Sequence, residues 1–493
     1  MKNKIGGKFY DLIKNLYSKS KCSIKLNHQR TEFFDYANGV RQGCILSPML
    51  FNLYLNEIPT LLDAENTDPV LLPDGSRLNC LLYADDLVLI SHTATGLQTA
   101  LSTLAQFCSD WLLNINPKKT KVLIFQKKLR KSTLDKQRFY INSDKIEIVS
   151  NYTYLGVNFS TTGNFRDHKT HLKEKTRRSI FATRRNLDFS KLPIDIVNKI
   201  FDSLFLPILM YGSEVWGIYD KVDYNSWEKD TIERTHIYFS KLFLGVNKQC
   251  PNVACRNELG RLSLKGKIDL NIIKFWIHLE NLSEDNIAKQ CLYLSKEMAG
   301  KNQLSLMQKV DSICKASNLN ISTFDTKNSN AFTSRIRLTV NKTSVSHQLD
   351  LLHLNKKLIF YSSFKKDCQK AADFLDSIKN PLHKKQINKF RLGNHKLRIE
   401  TGRHNKTPEH LRICTFCNLN EIEDESHFLF TCHHHKNLRT KYFNEINDKY
   451  QNFNNLDNNS KILFLFNSAD PFVCRTTAAY IYNSMLNRQS ILV

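Results

Sequence analysis

The sequence predicts an α+β protein whose first part mixes strands with helices and whose remainder is mainly helical. Two short apolar runs on either side of Ala84-Asp85-Asp86 predict a β-hairpin with the acidic residues at its turn. Apolar residues at helical spacing before and after this hairpin predict helices, so we expect a sheet with helices on one face. Beyond Gly163 helical patterns dominate, and residues 200–280 carry enough large apolar residues to predict a helical bundle.

Composition and charge limit the class of partner. At 493 residues the chain can hold two or more domains, and a hydrophobic content of 41% is typical of a globular protein. Lys and Arg total 71 against 47 Asp and Glu, a formal charge of +24, which favours nucleic acid or an acidic membrane surface as partner. No run approaches the roughly 18 apolar residues of a membrane span, so nucleic acid is expected and a membrane is not. The 13 cysteines, without a secretory signal, predict reduced thiols in an intracellular protein of the nucleus or cytoplasm.

Two helices are predicted around the hairpin, which covers residues 80–91. Ser47 is expected to cap the first helix, with Pro48 at its first position. Apolar residues give that helical region one face: Leu50, Leu53, Ile58, Leu61 and Leu62. Thr95 is expected to cap the second helix, whose apolar residues keep helical spacing: Leu97, Ala100, Leu101, Leu104, Phe107, Cys108, Trp111 and Leu112.

The hairpin turn carries the clearest chemical signal. Burying Leu81–Ile90 would bring the carboxylates of Asp85 and Asp86 close together, which is unfavourable unless a cation neutralises them. Hard oxygen ligands suit Mg²⁺, and carboxylate-bound Mg²⁺ pairs serve nucleotidyl transfer. The alternative is an exposed acidic turn on a surface hairpin, as in most Asp-Asp pairs. The apolar residues on both sides argue against that alternative.

Four segments in order resemble the reverse transcriptase of non-LTR (LINE-type) retrotransposons. They are Gly39–Tyr54 with Arg41-Gln42-Gly43, the hairpin with Tyr83-Ala84-Asp85-Asp86, Trp111–Lys121 with Asn116-Pro117-Lys118-Lys119, and Tyr152–Gly156. Each segment alone would be a weak signal, and their order and spacing together are a strong one. Leu206–Gly217 resembles a later segment of these elements, although by itself it predicts only a core helix. The resemblance implies an RNA-directed DNA polymerase that extends a DNA primer or target end on an RNA template, using deoxynucleoside triphosphates and two Mg²⁺ ions.

The resemblance also assigns roles to individual residues. Asp85 corresponds to the carboxylate shared by both ions, and Asp86 to the more peripheral one. Other residues correspond to the floor beneath the primer end (Tyr83, Ala84), the border of the nucleotide and template pocket (Arg41, Gln42, Gly43) and the primer support (Tyr154, Leu155, Gly156). Lys119 corresponds to a lysine near the pyrophosphate leaving group, where it could neutralise charge or donate a proton. The alternative for Lys119 is simple membership of a basic run.

The third aspartate of that family has no counterpart here. In the family it lies on a strand well before the segment that matches Arg41-Gln42-Gly43, and Met1 follows the position of that strand. Neither Asp11 nor Asp35 lies in the expected context. We therefore expect a fragment or a decayed copy that is inactive alone, because a two-metal site without a shared carboxylate binds Mg²⁺ poorly.

A second cluster predicts a structural zinc site. Cys414 and Cys417 form a Cys-x₂-Cys pair, followed by His427 and Cys432. Three thiolates and one imidazole would complete a tetrahedron without an open catalytic position. The alternatives are a redox pair or chance, and His433, His434 and His435 compete with His427 as the nitrogen ligand. The cluster also resembles the C-terminal Cys-Cys-His-Cys knuckle of the same retroelements, with basic residues before it: Lys384, Lys385, Lys389, Arg391, Lys396, Arg398, Arg403 and Lys406.

The predicted organisation has five parts. They are a partial reverse transcriptase fingers and palm (1–150), a helical thumb-like region (151–315), a linker and helical segment (316–383), a basic segment with the zinc knuckle (384–440) and C-terminal helices (441–493). Residues 316–346 are the expected linker, because Asn, Ser and Thr dominate them. The basic helix predicted over Asn164–Asn186 is either a solvated face or a grip on phosphates. The second function hypothesis is a non-catalytic nucleic-acid-binding remnant of a retroelement.

Overall fold

The structure is a computed structural model that describes residues 6–27, 29–35, 39–41, 43–126, 137–220, 223–321, 324 and 329–489. The chain divides into two compact units, Met1–Tyr152 and Thr153–Val493. The first mixes short strands with helices and the second is mainly helical, which confirms the mixed α and β composition expected from the sequence.

The first unit contains short antiparallel pairs and one mixed three-stranded sheet. Its helices are Gly7–Ser18, Leu46–Leu55, Ile58–Ala64 and Ala94–Asp110. Its strands are Lys21–Cys22, Lys25–Leu26, Gln29–Arg30, Phe34–Asp35, Val70–Leu71, Arg77–Leu78, Cys80–Tyr83, Asp86–Leu89, Lys121–Leu123, Phe139–Ile141 and Asp144–Val149. The last three form the three-stranded sheet, in which Asp144–Val149 is central.

Two predicted helix caps in this unit are wrong. Ser47 lies inside the helix Leu46–Leu55, and its hydroxyl donates to the carbonyl of Arg41 at 2.7 Å instead of capping the helix. Thr93, two residues before the predicted Thr95, caps the helix Ala94–Asp110 by accepting the N–H of Gly96 at 3.1 Å. That helix buries the predicted apolar side, including Ala100, Leu104 and Phe107. It packs under the hairpin strands through Leu87 and Leu89.

The second unit begins near a hairpin and continues as a succession of helices. The hairpin strands are Asn151–Tyr154 and Val157–Ser160. The helices are Arg166–Asn186, Ile194–Ile200, Leu206–Leu209, Ser213–Trp216, Tyr224–Trp227, Thr231–Leu244, Asn252–Glu258, Lys265–Glu280, Ile287–Gly300, Leu306–Ala316, Ser329–His353, Ile359–Phe364, Phe374–Ser377, Pro381–Arg391, Arg398–His404, Lys436–Lys449, Asn458–Asn467 and Pro471–Gln489. One hydrophobic cluster runs through this unit from Phe165 to Met485, so the helical character predicted after Gly163 is confirmed.

The helix Ser329–His353 replaces most of the predicted linker. Its buried residues recur at strict four-residue spacing: Phe332, Ile336, Val340, Ser344, Gln348 and Leu352. Two of these six are polar, and Ser344 and Gln348 are satisfied by hydrogen bonds to Val340 and Arg261. Hydrophobicity alone therefore underestimates how much of this segment is buried. Residues 316–346 are a linker only in part.

Buried ion pairs hold the helices of the second unit together. Arg391 is 1% exposed, and its Nε donates to Oε1 of Glu258 at 2.5 Å. Arg256, also fully buried, contacts Glu233 at 3.0 Å and Glu228 at 2.5 Å. Charges buried this deeply need partners, because an uncompensated ion in a protein interior is strongly destabilising.

We expect Arg391→Met to lower the free energy of unfolding of the protein by about 3–5 kcal/mol, because Glu258 is left buried without its partner. Urea unfolding followed by circular dichroism measures the change. Lys274→Gln, at an exposed lysine of the helix Lys265–Glu280, is the control and should change stability by less than about 0.5 kcal/mol. Equal stability of the two variants would contradict the assigned role of the pair.

Two further features concern the chain as a whole. Among the described helices none is long and apolar enough to cross a membrane. None of the thirteen cysteines forms a disulfide in the structure.

Candidate catalytic hairpin and metal centre

The acidic motif lies at the tip of a regular two-stranded hairpin. Cys80–Tyr83 pairs antiparallel with Asp86–Leu89, and Tyr83 faces Asp86 across the last pair. Ala84 and Asp85 therefore form a two-residue turn. Ala84 has φ +53°, in the left-handed region that costs a residue with a Cβ roughly 1–2 kcal/mol. Backbone strain of this kind concentrates at functional sites, where it presets the direction of a side chain.

The hairpin tip is more exposed than the sequence predicted. Leu81, Leu82 and Tyr83 are 39%, 37% and 64% exposed, and both aspartates are exposed. Leu87 and Leu89, on the same face as Leu82 and Cys80, pack on the helix Ala94–Asp110, so the face that carries Leu81 and Tyr83 is the uncovered one. Among the described residues, the acidic pair belongs to no group of three or more Asp, Glu, His or Cys side chains that could hold a metal ion. Asp85 and Asp86 still offer adjacent hard oxygen ligands of the kind that Mg²⁺ prefers.

The segment expected to border the nucleotide is only partly described. Arg41 is exposed, and its carbonyl accepts from Ser47. Gly43 has φ +79° and open space where a Cβ would stand, so glycine is favoured here by backbone conformation. Gln42 lies outside the described residues. Lys119 is exposed in a turn where its N–H donates to the carbonyl of Asn116 at 3.1 Å.

The turn at Leu155-Gly156 belongs to the second unit. Leu155 and Gly156 have φ of +46° and +78°, as required by the two-residue hairpin turn that matches strand twist. Tyr211 donates its hydroxyl to the carbonyl of Leu155 at 2.7 Å, and a Cβ on Gly156 would lie 2.9 Å from its ring. The segment Leu206–Gly217, which sequence resemblance singled out, therefore fixes this turn through Tyr211. The sequence held no separate signal for that contact.

The four predicted zinc ligands converge. The ligand atoms of Cys414, Cys417, His427 and Cys432 all lie within 4.8 Å of one another. The Sγ atoms of Cys414 and Cys432 are 3.9 Å apart, and Cys417 Sγ lies 3.4 Å from His427 Nε2. A tetrahedral zinc site needs about 3.8 Å between two sulfurs and about 3.6 Å between sulfur and nitrogen. The arrangement can hold a metal such as zinc.

Hydrogen bonds around the cluster orient the histidine. Nδ1 of His427 donates to the carboxylate of Glu421 at 2.8 Å, and the hydroxyl of Thr431 donates to the same carboxylate at 3.0 Å. With Nδ1 engaged, Nε2 faces the thiols, the arrangement that carboxylate partners impose on zinc-bound histidines. The hydrogen bond to Cys432 and burial raise the pKa of Cys414 to about 12. A cation among these crowded thiols would favour their thiolate forms.

The cluster is joined to the helices around it. Ile413 pairs with Ile422 in a short antiparallel bridge. Glu423 accepts two hydrogen bonds from Arg488, both at 2.8 Å, and Glu425 accepts from His395 at 2.9 Å. Both glutamates are buried, so these hydrogen bonds join the cluster to the helices from inside the unit.

The basic residues before the cluster fall into three groups by exposure, and Lys389, Arg398 and Arg403 are half-buried. Lys384 and Arg391 are buried, since Lys384 donates to the carbonyl of Ser190 at 3.1 Å and Arg391 pairs with Glu258. Exposed cations remain at Lys385, Lys396 and Lys406. The number of cations available to a ligand is therefore smaller than the sequence suggested.

Residues 4–159 match the family described as "Reverse transcriptase (RNA-dependent DNA polymerase)". This segment is therefore similar to reverse transcriptases, as the resemblance predicted. The downstream cluster agrees with the Cys-Cys-His-Cys knuckle expected for non-LTR retrotransposon proteins.

Three of the similar proteins come from transposable elements of Drosophila melanogaster. The chain is 34% identical over 163 residues to the "Retrovirus-related Pol polyprotein from type-2 retrotransposable element R2DM". The aligned segment makes up 32% of this chain and 15% of that protein. It is 26% identical over 230 residues to the "Probable RNA-directed DNA polymerase from transposon BS", and the aligned segment makes up 44% of this chain and 24% of that protein. It is 24% identical over 227 residues to the "RNA-directed DNA polymerase from mobile element jockey", and the aligned segment makes up 44% of this chain and 23% of that protein. The chain thus spans less than a quarter of the length of each of these relatives.

Proposed function

We propose that this chain carries part of the polymerase of a non-LTR retrotransposon, which extends a DNA primer on an RNA template. The observation that carries the proposal is the strained two-residue turn that presents Asp85 and Asp86 together at a hairpin tip. The match of residues 4–159 to the reverse transcriptase family supports the reaction class. In this proposal residues 1–150 supply fingers and palm, and the helices of 151–315 act as a thumb.

In this proposal Asp85 and Asp86 hold Mg²⁺, which would clamp the attacking and leaving oxygens of nucleotidyl transfer. Ala84 fixes the direction of Asp85, and Tyr83, being exposed, can lie beneath the primer end. The open space at Gly43 leaves room for a base or strand beside the backbone. Lys119, exposed in its turn, would neutralise the leaving pyrophosphate. The turn Tyr154-Leu155-Gly156, fixed by Tyr211, would support the primer.

The chain alone is expected to synthesise little DNA. Two carboxylates make a poorer site than three for a pair of divalent ions. The exposed side chains of Leu81 and Tyr83 lie on the hairpin face opposite Leu87 and Leu89, and a further strand with a carboxylate could cover that face. Primer extension on an RNA template with Mg²⁺ tests this proposal. Robust synthesis by the chain alone would contradict the expected defect, and synthesis restored by fusing the aspartate-bearing strand of a relative to Met1 would support the proposed function.

The alternative function is nucleic-acid binding without catalysis. The helix Arg166–Asn186 supports nucleic-acid binding under both the polymerase proposal and this alternative. The helix Arg166–Asn186 buries His168, Leu172, Thr176 and Ile180 on one side. Its buried Lys169 pairs with Asp220 and Asp230 and is structural. Exposed cations lie elsewhere on the helix: Arg166, Lys175, Arg178, Arg184 and Arg185. Such a face suits a phosphate backbone.

We expect the triple variant Lys175→Gln, Arg178→Gln, Arg185→Gln to bind duplex nucleic acid more weakly and with a smaller salt dependence. The log–log slope should fall by about 0.9 for each phosphate that the variant no longer neutralises. Fluorescence anisotropy at several salt concentrations measures the slope. The control replaces three exposed lysines elsewhere in the same unit, Lys248, Lys274 and Lys301, by glutamine. Equal slopes in the two variants would show that charge alone, and not this helix, governs binding.

A further inference from the structure

A cavity of about 480 Å³ lies in the second unit, and none of the four residues of the Cys/His cluster lines it. It is bounded by the segment that joins the helices Ile359–Phe364 and Phe374–Ser377 and by the end of the helix Asn458–Asn467. One part of the lining is apolar, with Leu463 and Phe466, and another part is basic. Neither the polymerase proposal nor the zinc site uses this cavity. Its volume falls within the range of small-molecule sites.

The loop that forms one wall is fixed in position. Gly260 has φ +64°, and a Cβ there would lie 2.5 Å from the backbone nitrogen of Ala371. Leu259 and Ala371 form a β-bridge, and the N–H of Ala372 donates to the carbonyl of Glu258 at 2.9 Å. Within the loop, Asp367 accepts the backbone N–H of Gln369 at 2.8 Å and that of Lys370 at 3.3 Å. A site held this firmly loses little conformational entropy when a ligand binds.

The charges around the cavity leave one buried cation without an acidic partner. Arg391 is neutralised by Glu258, and Lys370 pairs with Asp373 at 3.0 Å. Lys365 is only 9% exposed, and its Nζ donates to the carbonyl of Lys370 at 2.6 Å. No carboxylate of the described residues forms an ion pair with Lys365, and burial lowers its pKa. The neighbouring Lys366 is exposed and adds a second positive charge to the lining.

We infer that this cavity binds a phosphate ester of mononucleotide size, with its phosphate on Lys365 and Lys366 and its less polar part beside Leu463 and Phe466. An anion would offset the cost of burying the Lys365 ammonium, and phosphate oxygens accept charge-assisted hydrogen bonds from lysine. Asp367 and Asp373 keep their negative charges, but a positive charge remains in surplus. Four cations, Lys365, Lys366, Lys370 and Arg391, stand against three carboxylates, Glu258, Asp367 and Asp373. A free nucleotide and the phosphorylated end of a nucleic-acid strand offer the same chemistry. This inference does not depend on the proposed polymerase activity.

The test measures binding to the full chain by isothermal titration calorimetry. The probes are adenosine 5′-monophosphate and a short deoxyoligonucleotide with either a 5′-phosphate or a 5′-hydroxyl. Lys365→Gln is expected to weaken binding of adenosine 5′-monophosphate by about 10-fold or more, as loss of a hydrogen bond from a charged group would. Lys274→Gln, at an exposed lysine remote from the cavity lining, is the matched control and should bind as the unmodified chain does.

A second variant guards against misfolding of the first. Leu463 is 44% exposed in the lining, so Leu463→Trp fills the cavity without changing its charge and should also weaken binding. A Lys365-dependent preference for the 5′-phosphorylated oligonucleotide over the 5′-hydroxyl one would identify a strand end as the ligand. Lys365-dependent binding of the mononucleotide alone would identify a free nucleotide. Binding unaffected in both the Lys365 and the Leu463 variants would overturn the inference.

Discussion

Cys432→Ser is expected to abolish high-affinity zinc binding and to unfold the segment around the Cys/His cluster. Cys432 is 1% exposed, and its Sγ lies 3.9 Å from that of Cys414, so the change to serine removes one of the four converging ligand atoms. Structural zinc contributes roughly 10–16 kcal/mol of binding energy to small zinc domains, and losing a ligand removes much of it. Zinc content by mass spectrometry and hydrogen exchange over residues 411–435 measure the two effects.

Two further variants make this test specific. Glu421→Gln keeps all four ligands but weakens the hydrogen bond to His427 Nδ1, and we expect a 10-fold or greater loss of zinc affinity with the fold retained. His433→Gln changes an exposed neighbour of Cys432, so the affinity should stay unchanged if His427 is the nitrogen ligand. A Cys432→Ser protein that retains stoichiometric zinc and full protection from exchange would refute the site.

Asp85→Asn is expected to lower RNA-templated DNA synthesis by more than about 100-fold. Changes in residues that only support metal ligands already cost 10–100-fold, and in our proposal Asp85 is itself a ligand. Because the chain alone is expected to be defective, the assay uses the chain with the aspartate-bearing strand of a relative fused before Met1. Single-nucleotide incorporation at saturating Mg²⁺ measures the rate.

Asp74→Asn is the matched control for this substitution. Asp74 is another turn aspartate of the first unit, and its carboxylate accepts from Ser76 at 2.9 Å. It should leave the rate of incorporation unchanged. Asp86→Asn should reduce the rate less than Asp85→Asn does, since Asp86 is the more peripheral carboxylate in the proposal. Full activity of the Asp85 variant would exclude the hairpin as the metal site.

Sequence reasoning succeeded where local pattern decides structure. The alternation of apolar runs and turn residues defined the hairpin at Cys80–Leu89, and the spacing of Cys414, Cys417, His427 and Cys432 predicted a cluster that the structure brings together. Both features depend on residues close in the sequence. The caps at Ser47 and Thr95 were predicted from residue preference alone, and both predictions were wrong. The hydroxyl of Ser47 bonds to the carbonyl of Arg41 instead, and the nearby Thr93 caps the second helix in place of Thr95.

Sequence reasoning failed where burial depends on distant partners. Glu423 is buried because Arg488, 65 residues later, pairs with it, and Arg391 is removed from the basic surface by Glu258. The helix Ser329–His353 was missed because Ser344 and Gln348 on its buried side are satisfied by hydrogen bonds that no local pattern predicts. Exposure of the hairpin tip was likewise not visible in the apolar sequence around it.

Iron-mediated backbone cleavage tests the central claim, that Asp85 and Asp86 bind the catalytic metal, most directly. Fe²⁺ with ascorbate and peroxide generates hydroxyl radicals that cut the polypeptide next to a bound ion. With primer, RNA template and deoxynucleotide present, we expect cuts within residues 82–87 of the full chain that excess Mg²⁺ suppresses and Asp85→Asn removes. Cuts confined to other segments, with residues 82–87 intact, would contradict the claim.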